Sequence, residues 1–257
     1  MTHQWLSTEG VFGVALGVSS GFVFLFVLFG ALLDTGGAGN YFIKSALSVL
    51  GHMRGGPAKA AVVSSGLTGL ISGSSIANVV TVGTFTIPLM KSVGYRGSFA
   101  GAVEAASSTG GQIMPPVMGA VAFIMAETIN VPYVDIVKAA VIPAILYFFT
   151  AFWMVHLEAG RKGLMGLPKD ECPNPWTAVR ERWYLLLPLA GLVALLFSGY
   201  TPMFSGTVGL ALTVVLIFGA AVISGVKGLA LRGLFWVLLG LACGGFFHFG
   251  VGTFMVV

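Results

Sequence analysis

Residues 64–78, with the sequence SSGLTGLISGSSIAN, decide the fold because they place hydroxyls and glycines inside an apolar run. The run extends over residues 57–90, whereas a membrane-spanning helix needs only about 20 apolar residues. Peptide groups freed by a turn at residues 72–75 cannot face lipid, so they must be buried in protein or line a wet cavity. The pattern therefore predicts a re-entrant helical hairpin; a continuous helix that packs through small residues is the alternative.

A second interruption, SSTGGQIMPP at residues 107–116, lies within the apolar run 97–128. Pro115 and Pro116 lack N–H donors and disfavour helical geometry in the residues before them. The glycine pair in the same stretch allows the chain to unwind. Helices broken in this way mark the binding site in many secondary transporters. We therefore predict a discontinuous helix here, with a simple proline kink as the alternative.

The composition indicates a membrane protein. Of the 257 residues, 56% are hydrophobic and 9% are charged, whereas soluble domains are about 25% charged. The two cysteines, Cys172 and Cys243, are too few and too far apart for a disulfide framework or a metal cluster. The net charge of +4 comes without a basic and aromatic patch, which argues against nucleic-acid binding. We expect an all-α, polytopic helical membrane protein.

The apolar runs predict one membrane domain over residues 1–257, without internal repeats. We expect a scaffold helix and an interfacial segment at 11–56, a hairpin and a broken helix at 57–128, and further spanning helices at 129–257. The predicted spans and segments are 11–33, 41–53, 57–90, 97–128, 133–156, 183–198, 204–224 and 231–250, with an aqueous loop at 157–182.

The basic residues predict the orientation, because cytoplasmic loops are enriched in Lys and Arg. If 57–90 is a hairpin, 12 of the 13 basic residues fall on one side, and only Lys138 lies elsewhere. The twelve are Lys44, Arg54, Lys59, Lys91, Arg96, Arg161, Lys162, Lys169, Arg180, Arg182, Lys227 and Arg232. A crossing at 57–90 would divide them between the two sides. The pattern therefore favours a hairpin, an outside N-terminus and a cytoplasmic loop at 157–182.

Glu104 falls within the first arm of the predicted broken helix, where a carboxylate is costly and often functional. It could carry a proton, fix a loop or extend towards the cytoplasmic edge near Arg96. His248 is expected to be a buried, hydrogen-bonded histidine rather than a ligand.

The motifs GSSIANVVT at 73–81, FTIPLM at 85–90, AGAVEA at 100–105 and GGQIMPPVMG at 110–119 resemble the large membrane subunit of TRAP transporters. These are tripartite ATP-independent periplasmic transporters, and this DctM-like subunit is most similar to that of the fused TAXI-type permeases. The resemblance covers about residues 11–225.

The resemblance implies half of an elevator-type, Na⁺-coupled symporter in the bacterial inner membrane, with a periplasmic binding protein that delivers small carboxylates. It also implies a small membrane subunit or its fused equivalent, and no cofactor besides the coupling ion. The residues implied for the substrate are Ser74, Ser75, Asn78 and Gln112. Those implied for Na⁺, mainly through backbone atoms, are Ser72, Gly73, Ser74, Gly110, Met114 and Pro115.

The chain departs from the family pattern in three respects. No second, inverted hairpin and broken helix follows residue 183, the expected fused small subunit does not precede the chain, and residues 243–250 do not match. We therefore expect a piece of a longer permease that lacks its second half. An inactive or scaffold fragment, or an ion-coupled transporter of another hairpin family that works without a binding protein, remain alternatives. A membrane-embedded enzyme is not expected, because the chain has no His-Glu-x-x-His motif and no nucleophile with a plausible base.

Overall fold

The computed structural model describes residues 13–168 and 172–225. All regular secondary structure within these ranges is helical, which confirms the predicted all-α class. The helices are α1 (Val14–Thr35), α2 (Ala38–Leu50), α3 (Gly56–Ser72), α4 (Ser75–Ser92), α5 (Gly97–Gly110), α6 (Ala120–Ile129), α7 (Tyr133–Lys162), α8 (Pro175–Glu181), α9 (Leu186–Phe197) and α10 (Pro202–Gly225). The chain forms two compact units, residues 1–210 and 211–257, and the features below belong to the first.

Within the described ranges, α1 and α7 are the helices long and apolar enough to cross a membrane. Only 28% and 11% of their most apolar windows are buried, so neither is the covered core helix of a soluble protein. Large apolar side chains such as Ile142, Phe149 and Met154 are exposed along α7. Such a surface suits a lipid environment.

The predicted aqueous loop at 157–182 contains helical structure towards both of its ends, and its exposure to water stays a prediction. Helix α7 continues to Lys162, where an ion pair of 2.8 Å between Lys162 and Glu158 supports its last turn. It ends at Gly163, whose positive φ suits a glycine C-cap. The short helix α8 occupies part of the remaining loop and is capped by Asn174, which accepts from the backbone N–H of Trp176.

The predicted span 231–250, His248 and Lys169 lie outside the described residues.

The first interruption forms a tight break between α3 and α4, as predicted. Gly73 adopts φ +57°, and Ser74 caps α4 by accepting a hydrogen bond from the backbone N–H of Ala77. The Nδ2 of Asn78 on α4 donates to the carbonyl of Ser65 on α3 at 2.8 Å, so the chain folds back on itself. The helical hairpin is confirmed, whereas its depth in a bilayer stays a prediction.

The second interruption is also confirmed. Helix α5 ends at Gly110, a 3₁₀ turn follows, and Met114 is extended. The Pro115–Pro116 peptide bond is cis, and the backbone N–H of Gly119 donates to the carbonyl of Gln112 at 2.8 Å before α6 begins. Residues 111–119 therefore form an unwound connection between α5 and α6, which we call the unwound segment.

The unwound segment is fastened to α7 and to the main apolar core. The hydroxyl of Tyr133 lies 2.7 Å from the carbonyl oxygen of Pro116 and 2.9 Å from that of Val117. The Tyr133 ring stacks on Phe123 of α6 with centroids 4.3 Å apart, and Phe123 in turn contacts Phe26 of α1. These contacts supply a donor to carbonyls that no longer belong to a helix.

Helix α3 packs against the start of the unwound segment through glycine backbones. A Cβ added to Gly69 would lie 2.5 Å from the Cα of Gly111, closer than side chains approach backbone atoms. Helix packing at such short range requires small residues.

We predict that Gly69→Ala destabilises the protein by about 1–3 kcal/mol, because the added methyl group must push the hairpin and the unwound segment apart. The matched control is Gly101→Ala on α5, where a Cβ meets no atom within 4 Å. That control should be neutral or stabilising by up to about 1 kcal/mol, because alanine favours helix over glycine. Equal effects of the two substitutions on thermal unfolding in detergent would contradict the packing described here.

Candidate functional site

The two interruptions meet in space. The Nε2 of Gln112 in the unwound segment donates to the Oγ of Ser75 at the start of α4, at 2.8 Å. A Cβ on Gly73 would collide with the carbonyl oxygen of Met118, so the hairpin tip lies directly on the unwound segment. Two breaks that are 37 residues apart in sequence, measured from Ser75 to Gln112, thus form one local structure.

A cavity of about 490 Å³ opens where the tip, the unwound segment and α1 come together. Its polar side chains are Ser72, Ser74 and Gln112, and the rest of its wall is apolar, with Phe26 and Phe123 among the lining residues. No charged side chain of the described chain lines it. An apolar pocket with a few converging polar groups is typical of a small-molecule site.

Three of the four residues implied for the substrate lie together at this cavity or beside it. Ser74 and Gln112 line the cavity, and Ser75 is held by Gln112. Asn78 lies apart from them, between the arms, with 1% of its surface exposed. Its Nδ2 is bonded to Ser65, and a Cβ on Gly111 would lie 3.3 Å from that nitrogen, so Asn78 faces the unwound segment rather than the cavity.

The residues implied for Na⁺ are divided between two places. Ser72, Gly73 and Ser74 line the cavity at the hairpin tip. Gly110, by contrast, is buried against α7, where a Cβ would lie 2.5 Å from the Tyr147 ring. Met114 and Pro115 are half-buried in the unwound segment and do not line the cavity.

Two buried oxygen atoms of the hairpin have no hydrogen-bond partner in the described chain. They are the Oγ of Ser72 and the Oδ1 of Asn78. A buried polar atom without a partner costs about 1–3 kcal/mol, so such atoms call for an explanation. Oxygen atoms that are left open beside an unwound backbone are suited to a small hard cation.

The sequence left three roles open for Glu104, and the structure excludes one of them. The side chain is completely buried and lies between hydroxyl groups of the hairpin, so it does not extend to the membrane edge. Its partners Ser65 and Thr86 are distant in sequence, and spacing alone contains no signal for their contact.

The sequence also did not identify Tyr133 as a residue that holds the unwound segment. An aromatic residue at a helix start does not reveal which carbonyls its hydroxyl reaches.

Comparison with known proteins shows the family to which the chain is similar. Residues 4–242 match the family described as the DctM component of tripartite ATP-independent periplasmic transporters. The large permease protein DctM of a C4-dicarboxylate TRAP transporter from Pseudomonas aeruginosa is 32% identical over 69% of this chain and 41% of its own length. The corresponding Rhodobacter capsulatus protein is 28% identical over 84% of this chain and 51% of its own length.

A relative named for another substrate is the large permease protein SiaM of a sialic acid TRAP transporter from Vibrio cholerae. It is 28% identical over 69% of this chain and 41% of its own length. The chain thus spans about half the length, or somewhat less, of these relatives. The match covers most of the chain and includes both interruptions, so this protein belongs to the DctM family of TRAP transporter large permease subunits.

Proposed function

We propose that this chain forms the front half of a Na⁺-coupled permease that imports small organic carboxylates. The observation that carries the proposal is the meeting of the hairpin tip and the unwound segment at one cavity, which is lined by Ser72 with its unpartnered Oγ. A soluble or purely structural helical protein has no need for two helix breaks that face each other, whereas discontinuous helices suit ion and substrate binding in transporters.

The substrate end of the site is assigned to the start of α4. Its first N–H groups carry a partial positive charge, which favours an anionic group at this position. Ser74, Ser75 and Gln112 add hydroxyl and amide donors that are suited to a carboxylate. The names of the relatives fit this chemistry, because C4-dicarboxylates and sialic acid are all acids.

The Na⁺ end is assigned to oxygen atoms at the two breaks. The Oδ1 of Asn78 and the Oγ of Ser72 are unpartnered, and the backbone around Gly73, Gly110, Met114 and Pro115 is at or next to a break. Cation binding would satisfy the open oxygen atoms and would hold the hairpin against the unwound segment. Binding of the ion and of the substrate would thereby be coupled through the same two segments.

The remaining parts of the transporter and its location are proposed from the family to which the chain belongs. Because the chain spans about half of its relatives, an inverted second half would complete the substrate site. A periplasmic binding protein would deliver the substrate, and a small membrane subunit or its fused equivalent would complete the scaffold. We place the protein in the bacterial inner membrane as a multi-pass subunit, in which the hairpin and the broken helix move together past a fixed scaffold. Assignment to the TAXI branch stays a prediction.

We predict that Gln112→Ala or Ser74→Ala, made in the permease that contains this chain, weakens the apparent affinity for the carboxylate about 10- to 100-fold. Each substitution removes a donor to a charged group, which costs about 1.5–3 kcal/mol. Uptake is measured in vesicles with the binding protein present, with and without a Na⁺ gradient.

The control is Thr109→Ala, because that exposed hydroxyl bonds only to the Ala105 carbonyl of its own helix. Wild-type uptake by both the Ser74 and the Gln112 variants would remove these residues from the site. Uptake that is unchanged when Na⁺ is replaced would refute the coupling.

We also predict that both ends of the hairpin face the cytoplasm. In a variant with Cys172 and Cys243 replaced by serine, Met53→Cys and Ser92→Cys should react with an impermeant thiol reagent from the cytoplasmic side only. Val131→Cys, at the far end of α6, should react from the outside. All three positions are exposed. Labelling of positions 53 and 92 from opposite faces would show that residues 57–90 cross the membrane.

A further inference from the structure

The side chain of Glu104 lies at the centre of a buried cluster of hydroxyl groups from three helices. Its Oε1 lies 3.0 Å from the Oγ of Ser65 on α3 and 3.0 Å from the Oγ of Ser108 on α5. Its Oε2 lies 2.5 Å from the Oγ1 of Thr86 on α4. The carboxyl group, Ser65, Ser108 and Thr86 are all buried, and Glu104 itself is 0% exposed. We call these four residues the Glu104 cluster.

Counting the protons of the cluster shows whether the charged or the protonated form of the carboxyl group fits these hydrogen bonds. Ser65 and Ser108 each donate their single hydroxyl proton to Oε1. Thr86 also has a single proton, yet its Oγ1 is within reach of two acceptors, Oε2 of Glu104 and the carbonyl of Val82 at 3.0 Å. If Oε2 carries a proton, it donates to Thr86, and Thr86 donates to Val82. Each of the four protons then has one acceptor, and Oε1 accepts two of them.

The charged residues around the cluster also favour the protonated form of the carboxyl group. A carboxylate at this position would be buried in the membrane part of the protein without a cation, which costs several kcal/mol. The charged side chains on the helices packed against α5 are Lys59 on α3, Lys91 on α4, and Asp135, Lys138, Glu158, Arg161 and Lys162 on α7. Within the described chain, none of them is hydrogen-bonded or ion-paired to Glu104, and Lys59 lies over the Phe152 ring instead.

We propose that Glu104 is a neutral carboxylic acid that clasps both arms of the hairpin to α5. Its Oε1 accepts from α3 and α5, and its Oε2–H donates to α4, so one side chain links three helices. A carboxylic acid can be kept neutral at pH 7 in an apolar site so that it can donate a hydrogen bond. The clasp makes the hairpin and the broken helix one body, and it is independent of whether Na⁺ and a carboxylate bind at the tip.

The test is infrared difference spectroscopy of the purified full chain at neutral pH, comparing the wild type with Glu104→Gln. We expect a carbonyl band of a protonated carboxylic acid that is present in the wild type, absent in the variant, and unchanged when Na⁺ replaces K⁺. The control is Glu127→Gln, which removes an exposed carboxyl group on α6 and should take away a carboxylate band instead. A carboxylate band for Glu104, or loss of its acid band on addition of Na⁺, would overturn the proposal.

Thermal unfolding tests whether the hydrogen bonds of Glu104 stabilise the protein or whether its side chain only fills space. Glu104→Gln keeps two acceptor sites and a donor towards Thr86, so we expect a melting temperature close to that of the wild type. Glu104→Met fills a similar volume without hydrogen bonds and should lower the melting temperature by several degrees, because the hydroxyls of Ser65 and Ser108 lose their acceptor. Equal melting temperatures for the glutamine and methionine variants would contradict a clasp.

Discussion

The structure depends on the need to satisfy peptide groups that two helix breaks expose inside a membrane protein. Lipid offers no hydrogen bonds, so N–H and C=O groups at the breaks must find partners in the protein or face a wet cavity. Here the breaks face each other: Gln112 donates to Ser75, and Tyr133 supplies a donor to the carbonyls of Pro116 and Val117. A cavity opens where the two breaks meet. The unpartnered oxygen atoms of Ser72 and Asn78 are those to which we assign the proposed cation.

Small residues make this arrangement possible. Gly69 and Gly111 allow the backbones of α3 and the unwound segment to touch, and Gly73 does the same for the hairpin tip and Met118. Because the helices lie so close, the hydroxyls of Ser65, Thr86 and Ser108 converge on one carboxyl group below the tip. Rigid packing of the two segments is what a mobile transport domain would need in order to move as a unit.

The breaks themselves could be predicted from the sequence, because Gly73 with Ser74, and Pro115 with Pro116, are incompatible with a regular helix. The family resemblance implied substrate residues at both breaks, and the Gln112–Ser75 bond shows that the two breaks are in contact. The convergence on Glu104 could not be predicted, since Ser65 lies 39 residues away and its contact depends on the packing of three helices. The last turn of α7 was missed because its charged residues, Glu158 and Lys162, resemble those of a loop, although their spacing allows a helical ion pair.

The most direct measurement is hydrogen–deuterium exchange of the purified chain in Na⁺ and in K⁺ at equal ionic strength. If a cation is held between the two breaks, Na⁺ should slow exchange at residues 73–78 and at residues 111–119 together. The last turn of α7, where Ala159 packs beside Gly55 rather than against either break, should be unaffected. Identical exchange in the two salts, or protection confined to one of the two segments, would contradict a shared cation site.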